Sequence, residues 1–513
     1  MNLSRMKTWI ATSITALKPT LTRTELLVCL SSGLLLALAF PPFSFSFTIL
    51  FALVPLFSIL QPNRHRNNFK LGFWTGLVFF CFTLYWLLNV TLGGLVLLIL
   101  VLSLYFSLQT LAAGWQRFPA LTIPFAALVW ALVEYFRSLG WFSFAWNFMG
   151  HALYSWETQL QITYWFGVYI LTFFIIAMNL ALAHVFLWLR RVYQTRAYVP
   201  VSSVVSTYPH YYLIGVMIFF IGNGFYGTSV IEHLKQQREN GIPFRVALIQ
   251  GNFQLDEKRE ATQKQILATY LTLSEGALSY RPDLIVFPES TFAAPLNHWR
   301  SLVSELQTFV DEHNTDLLLG TVYGEILGQE NWRFWNRAYL FKPGNVFDLS
   351  DTPIDLSAMQ HYDKIHLVPY GEFVPLGSYF PFYYIETLIE EAGAGIFERG
   401  ENLTLFEGRN DITFSVAICY ESSRGQQISQ AVENGADFII NITNDAWFRR
   451  SPGLMQHFIL SVFRAVENRC YVVRCANTGI TGVIEPDGTI GKVIEDNKKG
   501  MCLYELRIVK DQG

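Results

Sequence analysis

The stretch TFSVAICYE, residues Thr413–Glu421, decides how the second half of this chain folds. Its opening residues are mostly apolar or β-branched and predict a buried strand, Thr413–Ile418. The strand ends on Cys419, and a thiol at the carboxyl end of a buried strand is well placed to face a pocket. There the next backbone N–H can hold a developing oxyanion. Most free cysteines are only small buried hydrophobic residues, so the hypothesis of a nucleophile depends on the rest of the chain.

Short apolar runs alternate with amphipathic stretches from about Gly241 onward, which predicts one α/β domain. The predicted strands are Phe244–Gln250, Leu284–Phe287, Asp316–Val322, Arg337–Phe341, Thr413–Ile418, Asp437–Ile442, Cys470–Cys475, Ile480–Ile484 and Cys502–Leu506. The predicted helices are Glu257–Tyr280, His298–Glu312, Gln426–Asn434 and Met455–Asn468. No run after Phe225 is long enough to cross a bilayer.

Two further ionisable residues in this domain accompany the thiol of Cys419. Glu289 comes just after the strand Leu284–Phe287, and Lys364 lies in the Pro/Gly-bounded loop DKIHLVPYGEFVP, Asp363–Pro375. A carboxylate, an ammonium and a thiol suffice for acyl transfer, because they can act as base, oxyanion partner and nucleophile. A lysine nearby also favours the thiolate. Loop glutamates and lysines are usually just solvated, and the spacing alone does not bring the three together.

The composition of the whole chain indicates a membrane protein. Hydrophobic residues make up 52% of the 513 residues and charged residues only 15%, and the mean hydropathy is +0.29. The net charge of −3 gives no support for binding nucleic acid. The six cysteines lack metal-type C-x-x-C spacing and do not suggest a disulfide framework.

Apolar runs in the N-terminal half predict about seven membrane spans. These runs are Leu26–Phe40, Phe47–Leu60, Leu71–Val90, Gly93–Gly114, Leu121–Tyr135, Ile162–Leu189 and Tyr211–Phe225. Basic residues concentrate in the N-terminus and the even-numbered loops, which the positive-inside rule places in the cytoplasm; they are Arg5, Lys7, Lys18, Arg23, Arg64, Arg66, Lys70, Arg117, Arg190, Arg191 and Arg196. An odd number of spans then places everything after Phe225 on the periplasmic side of a bacterial membrane.

The motifs around the three candidate residues resemble a known superfamily. A glutamate in P-E-S, a lysine in the long loop Asp363–Pro375 and a cysteine in C-Y-E follow the order of the nitrilase, or carbon–nitrogen hydrolase, superfamily. Three features are more similar to one branch of the superfamily, bacterial apolipoprotein N-acyltransferase. They are the lysine loop, the apolar N-terminal half, and NDAWF (Asn444–Phe448) with Gln456 and His457. This resemblance extends over nearly the whole chain.

The resemblance implies both a fold and a division of the chain. It implies a polytopic α-helical membrane domain over residues 1–230 and an extracytoplasmic nitrilase-like α-β-β-α sandwich over residues 241–510. It also implies that Glu289 is the general base, Lys364 the oxyanion stabiliser and Cys419 the nucleophile.

Five more residues match supporting positions of the family: Glu372, Tyr420, Glu421, Trp447 and His457. The resemblance implies that the two glutamates position the lysine or tune the base, and that Tyr420 contributes its backbone N–H. The implied reaction moves an acyl chain from a membrane phospholipid to the cysteine as a thioester. The chain then passes to the N-terminal amino group of a diacylated apolipoprotein at the bacterial inner membrane, with no metal and no cofactor.

The chain departs from the family pattern at two places. Arg449 and Arg450 follow NDAWF where the family usually has glycine, so a stiffer loop or a contact with phosphate headgroups is expected there. Family members often continue into a further transmembrane helix, whereas Cys502–Val509 is strand-like. The catalytic domain is therefore expected to be tethered at one end only.

Two alternative functions stay open on the sequence. A membrane-tethered amidase could use the same three residues with water as the acceptor, although a hydrolase of small amides needs no membrane half. A transporter or sensor could carry a soluble domain without chemistry, but internal repeats and several intramembrane charges, which are common in transporters, are not evident.

Overall fold

The computed structural model describes residues 21–115, 119–140, 143–195, 208–292, 294–327, 331–350, 352–373 and 396–510. Several residues used in the sequence predictions lie outside these ranges, namely Arg5, Lys7, Lys18, Arg117, Arg196, Val374 and Pro375. The chain divides into two compact units. Unit 1 comprises residues 1–136, 147–153 and 168–222, and unit 2 comprises residues 137–146, 154–167 and 223–513.

Helices dominate the chain before its first strand. They are α1 (Arg23–Leu38), α2 (Val54–Phe57), α3 (His65–Leu84), α4 (Leu92–Ala113), α5 (Pro119–Arg137), α6 (Glu157–Leu160), α7 (Thr163–Phe166), α8 (Tyr169–Thr195) and α9 (Tyr208–Glu239). Among the described residues, four helical segments are long and apolar enough to cross a membrane, His65–Asn89, Leu92–Ala113, Tyr169–Gln194 and His210–Glu239. The predicted number of about seven spans is not confirmed by these four.

The remainder of unit 2 alternates strands and helices, as predicted. The strands are β1 (Ile242–Gln250), β2 (Leu284–Val286), β3 (Asp316–Leu327), β4 (Asn331–Phe341), β5 (His361–Asp363), β6 (Leu405–Glu407), β7 (Thr413–Ile418), β8 (Phe438–Thr443), β9 (Tyr471–Ala476), β10 (Thr481–Ile484), β11 (Ile490–Ile494) and β12 (Gly500–Ile508). The helices are α10 (Leu255–Glu260), α11 (Gln263–Ala277), α12 (Arg300–His313), α13 (Gly425–Glu433) and α14 (Gly453–Asn468).

These strands form two six-stranded sheets, with strand orders β12-β1-β2-β3-β4-β5 and β11-β10-β9-β8-β7-β6. One apolar core, which includes Phe244, Val286, Phe414 and Val473, joins the inner faces of the two sheets. Helices α11 and α12 cover the outer face of the first sheet, and α13 and α14 pack on the second. The nitrilase-like four-layer α-β-β-α arrangement that the resemblance implied is therefore confirmed for the described part of unit 2.

Parallel pairing gathers the ends of the strands that carry the candidate residues. In the first sheet β1, β2 and β3 are parallel neighbours, and in the second sheet β7, β8 and β9 are. The carboxyl ends of parallel strands lie at one edge of a sheet. Glu289 follows β2, Cys419 follows β7 and Asn444 follows β8. These residues therefore lie at the carboxyl-end edges of the two sheets.

Candidate active site

Cys419 lies at a sharp turn between β7 and the 3₁₀ helix Cys419–Ser423. Its backbone φ is +55°, a left-handed conformation that is uncommon for a residue with a side chain. Such strain is often found at functional sites, where the surrounding structure maintains it. Here the side chain of Asn441 donates to the Cys419 carbonyl at 3.3 Å and to the Ala417 carbonyl at 2.9 Å, which holds the turn to β8.

Glu289 and Lys364 meet in a buried charged cluster. The Lys364 ammonium lies 2.7 Å from Glu372 Oε1 and 3.5 Å from Glu289 Oε1, and its side chain is fully buried. Asn336 on β4 donates through Nδ2 to Glu289 at 2.7 Å and to Glu372 at 3.2 Å. The other oxygen of Glu289 accepts the backbone N–H of Asn444 at 2.7 Å. A single ammonium is therefore shared by two carboxylates, and an amide holds both carboxylates in place.

Close backbone packing fixes Glu289 at this position. Gly320 on β3 exchanges backbone hydrogen bonds with the Pro288 carbonyl at 3.2 Å and the Thr291 N–H at 2.8 Å. A Cβ at Gly320 would lie 2.7 Å from the Cα of Glu289. Only glycine lets β3 approach the segment this closely, so the position of Glu289 depends on a residue in the neighbouring strand.

The electrostatics of the cluster keep the thiol protonated at rest. Burial raises the pKa of Cys419, and the charge of Glu289 adds to that effect, whereas Lys364 acts in the opposite direction. Burial alone would lower the pKa of Lys364, but the carboxylates of Glu372 and Glu289 raise it above its ordinary value. Lys364 therefore acts in the expected direction, towards the thiolate, but burial and Glu289 outweigh it. A thiol in this state needs a base to become a nucleophile.

Glu421 joins the cysteine turn to the lysine loop. Its Oε1 accepts hydrogen bonds from the Tyr362 hydroxyl at 2.7 Å and from the backbone N–H groups of Ile365 at 2.9 Å and His366 at 3.0 Å. Its Oε2 accepts the N–H of Ile418 at 2.7 Å. The side chain is completely buried, so these contacts hold the segments that carry Cys419 and Lys364 at a fixed separation.

The other predicted supporting residues occupy different surroundings. His457 lies 2.9 Å from Asp445 Oδ1 and 3.1 Å from the Ser422 hydroxyl, with Nε2 3.2 Å from the Cys419 carbonyl. The side chain of Tyr420 donates its hydroxyl proton to the Ser143 carbonyl. Trp447 is 43% exposed, and among the described residues no hydrogen bond connects it with the charged cluster. Arg449 and Arg450 are both exposed.

Several residues of the site carried no clear signal in the sequence. Asn336 lies in β4, a strand in which polar and apolar residues are mixed. The sequence around this amide gives no indication of its two carboxylate partners. Arg474 is an exception, because a charge in the apolar strand β9 requires a buried partner. It donates to Asp445 Oδ2 at 2.8 Å and to the side chain of Asn441. No group of three or more His, Cys, Asp or Glu side chains in the described ranges could hold a metal ion.

Lys258 on α10 is a buried lysine close to the charged cluster. It is 9% exposed and donates to the carbonyl of Ser290, the residue after Glu289. Burial lowers the pKa of Lys258 to about 8, although the charge of Glu289 partly opposes this shift. Folding therefore weakens proton binding at this amine relative to its ordinary value of 10.5.

This shift predicts a pH dependence of stability. Between about pH 8 and pH 10.5 the unfolded chain binds more protons at Lys258, so its contribution to the free energy of unfolding rises with pH. The gain should reach about 3 kcal/mol across that window. Substituting Lys258→Met should remove this rise, measured as unfolding in detergent micelles at several pH values. Lys264→Met, at an exposed position of α11, should keep the wild-type slope, and equal slopes in Lys258→Met and wild type would contradict the shift.

The chain is similar to known proteins along most of its length. Residues 245–510 match the family described as carbon-nitrogen hydrolase, and residues 32–181 match the apolipoprotein N-acyltransferase N-terminal domain. A Geobacter metallireducens protein named apolipoprotein N-acyltransferase is 34% identical over 487 residues, covering 91% of this chain and 86% of the relative. Apolipoprotein N-acyltransferase 1 of Treponema denticola is 26% identical over 523 residues, covering 95% of this chain and 91% of the relative.

A crystal structure of a nitrilase-superfamily protein from Saccharomyces cerevisiae aligns with 52% of this chain and 90% of its own, at 19% identity. Its TM-score is 0.37. The carbon-nitrogen hydrolase match spans residues 245–510 of 513, and the Geobacter relative is 34% identical along most of both chains. This chain therefore belongs to the apolipoprotein N-acyltransferase family of the carbon–nitrogen hydrolase superfamily.

Proposed function

We propose that this chain transfers an acyl chain from a membrane phospholipid to the N-terminal amino group of diacylglyceryl-cysteine in apolipoproteins. The observation that carries the proposal is the buried cluster in which Lys364 contacts Glu372 and Glu289. The charges of Glu289 and Lys364 act on the thiol of Cys419. Family membership along most of the chain supports the same conclusion, as do the four helices of membrane-spanning length in the described part of the chain.

In the first half-reaction Glu289 accepts the proton of Cys419 as the sulfur attacks the ester carbonyl of the phospholipid. The Lys364 ammonium stabilises the negative charge that develops on the carbonyl oxygen, together with the backbone N–H of Tyr420. The ester C–O bond breaks, and the leaving oxygen of the lysophospholipid takes the proton from Glu289. The product is a thioester on Cys419, and the carboxylate of Glu289 is restored.

In the second half-reaction the acceptor amine attacks the thioester. Glu289 removes a proton from the amine, the C–S bond breaks, and the proton returns to the sulfur of Cys419. The amide product leaves and the resting thiol is regenerated. We assign the supporting roles on these contacts. Glu372 positions Lys364, and Glu421 holds the cysteine turn to the lysine loop. His457 supports the Cys419 turn through Ser422, and the exposed Trp447 can contact substrate.

We propose a membrane domain over residues 1–230 with about seven spans, and a catalytic domain over residues 241–510 on the periplasmic side of the inner membrane. This location fits the substrates, because both are lipids anchored in the outer leaflet. Their acyl chains can remain in hydrocarbon while the reacting groups enter the site of the catalytic domain. A thioester stores the acyl group between two bulky substrates that need not bind together, and exclusion of water protects it.

The test is to incubate the purified protein with a phospholipid that carries a labelled acyl chain. We expect a hydroxylamine-sensitive adduct on the wild type and none on Cys419→Ser, and we expect a diacylated lipopeptide to discharge it by forming the labelled amide. Cys81→Ser removes an exposed thiol and should leave the adduct unchanged.

The alternative functions predict different results in the same assay. Discharge by water at the same rate with or without lipopeptide would favour the amidase. A wild type that forms no adduct with several phospholipids, although it is folded, would favour the transporter or sensor.

A further inference from the structure

A small cavity lies beside the candidate nucleophile, within unit 2. Its volume is about 210 Å³, and its lining includes Tyr420, which follows Cys419 directly, and the segment Ile365–Leu367, which follows Lys364. Pockets that enclose a drug-sized ligand measure roughly 300–1,000 Å³. This cavity therefore suits a small group rather than an acyl chain.

The cavity has a positive lining. Of the eight described residues that line it, two are arginines, Arg399 and Arg424, one is His366, and none is acidic. We call it the cationic cavity after these three residues. Guanidinium groups match phosphate oxygens in geometry and are weakly hydrated, so they bind phosphate at low desolvation cost.

Arg424 is held by neutral groups only. It donates to the carbonyls of Gly140 at 2.9 Å and Ser138 at 3.3 Å and to the hydroxyl of Ser143. In the described ranges it forms no salt bridge. Burial lowers the pKa of Arg424, Tyr420 and Glu421 oppose this shift, and the like charge of Arg399 adds to it. The guanidinium is therefore fixed in place without a direct carboxylate partner among the described residues, so an anion in the cavity would relieve the repulsion from Arg399.

His366 faces the same two charges. Burial, with the charges of Arg424 and Arg399, lowers the pKa of His366 to about 4, although a side-chain interaction with Gln427 opposes this shift, so the ring is neutral at physiological pH. Its Nδ1 atom is buried and has no hydrogen-bond partner among the described residues. A buried ring nitrogen without a partner loses the hydrogen bond that water would supply, and an oxygen ligand in the cavity would replace it.

We propose that the cationic cavity binds the phosphodiester of the phospholipid donor and thereby places the donor's ester carbonyl at Cys419. This inference rests on the proposed function, because it names the part of the phospholipid donor that the same site binds. The glycerol backbone of a phospholipid links the phosphate to the reacting ester, and the cavity is joined to the nucleophile through the adjacent residue Tyr420. Arg424 and Arg399 take the phosphate oxygens, and His366 donates to one of them.

The test compares two acyl donors, phosphatidylethanolamine and the p-nitrophenyl ester of the same fatty acid, which has no phosphate. We expect Arg424→Gln to raise KM for the phospholipid about tenfold or more, the size of one lost charge-assisted hydrogen bond, with kcat nearly kept. Thioester formation from the p-nitrophenyl ester should be unchanged, which also shows that the variant is folded. Arg399→Gln should raise the KM for the phospholipid in the same way. The KM of Arg424→Lys should lie between those of the wild type and Arg424→Gln.

Arg281→Gln is the matched control. It removes an exposed arginine that precedes β2, at the opposite end of that strand from Glu289, and should change neither KM. Glycerophosphoethanolamine should compete with the phospholipid in wild type and lose this effect in Arg424→Gln.

Three outcomes would contradict the proposal. Equal losses on both donors would mean that Arg424 has a structural role. Inorganic phosphate that competes as strongly as glycerophosphoethanolamine would make the cavity a free-phosphate site. An unchanged KM for the phospholipid in Arg424→Gln would show that the cavity does not bind this donor. The proposed function fails separately, when the wild type forms no thioester from either donor.

Discussion

Replacing Glu289 with glutamine is expected to slow thioester formation by about 10²–10⁴-fold near neutral pH, the range typical of a lost general base. The reason is the resting state of the nucleophile. Burial raises the pKa of Cys419, so nearly all of the thiol is protonated and the sulfur depends on a nearby carboxylate. Glutamine keeps the size of the side chain and can still accept a hydrogen bond from Asn336 or from the N–H of Asn444.

The pH dependence of Glu289→Gln separates a lost base from a damaged site. Without the base, the rate follows the thiolate fraction of Cys419, which grows about tenfold per pH unit below the thiol pKa. We therefore expect the residual rate of the variant to climb with pH while the wild-type rate stays nearly flat above neutrality, measured as the single-turnover rate of acyl labelling. Glu305→Gln, at an exposed position of α12, is the control. A Glu289→Gln rate within threefold of wild type would exclude the base role.

The sequence predicted the strand before Cys419 well, because β7 is an apolar run that ends at polar residues. Its predicted bounds, Thr413–Ile418, are the observed ones. β3 was predicted to end at Val322 and extends to Leu327, and β4 begins at Asn331 instead of Arg337. The extra residues pair with each other in a hairpin, and such pairing is not visible in the pattern of either strand.

Short strands were missed for a related reason. β5, His361–Asp363, and β6, Leu405–Glu407, have three residues each, too few to show a period. The long predicted helix Glu257–Tyr280 is interrupted between α10 and α11 at Ala261 and Thr262. The Thr262 hydroxyl accepts the N–H of Gln265 and starts a new helix as an N-cap.

The candidate site was predictable in its residue types but not in its electrostatics. Glu289, Lys364 and Glu372 were chosen from motifs, and the structure brings them within hydrogen-bonding reach of one another or of the shared Asn336. The protonated state of Cys419 depends on burial and on distances to both charges, which spacing along the chain does not encode. Asn336 likewise acquires its role only because β4 lies beside β3 and passes the end of β2.

Replacing Lys364 with methionine should have the largest effect on both activity and stability. The ammonium is fully buried between Glu372 at 2.7 Å and Glu289 at 3.5 Å. Removing it leaves two carboxylates that share one amide donor without a cation, and breaking a buried ion pair costs about 3–5 kcal/mol of stability. One carboxylate then tends to retain a proton. Protonation of Glu289 would remove the base at the same time as the oxyanion partner is lost, so thioester formation should fall by at least about 10³-fold.

A second substitution distinguishes the two roles of Lys364. In Lys364→Met with Glu372→Gln only the Glu289 carboxylate remains, so the net negative charge of the cluster returns to its wild-type value. Much of the lost stability should return, while thioester formation stays as low as in Lys364→Met because the oxyanion partner is still missing. Thermal unfolding in detergent micelles and single-turnover labelling measure the two effects on the same samples. Lys264→Met, at an exposed position, should change neither. Recovery of activity together with stability would mean that Lys364 only balances charge, whereas recovery of stability alone assigns it to the transition state.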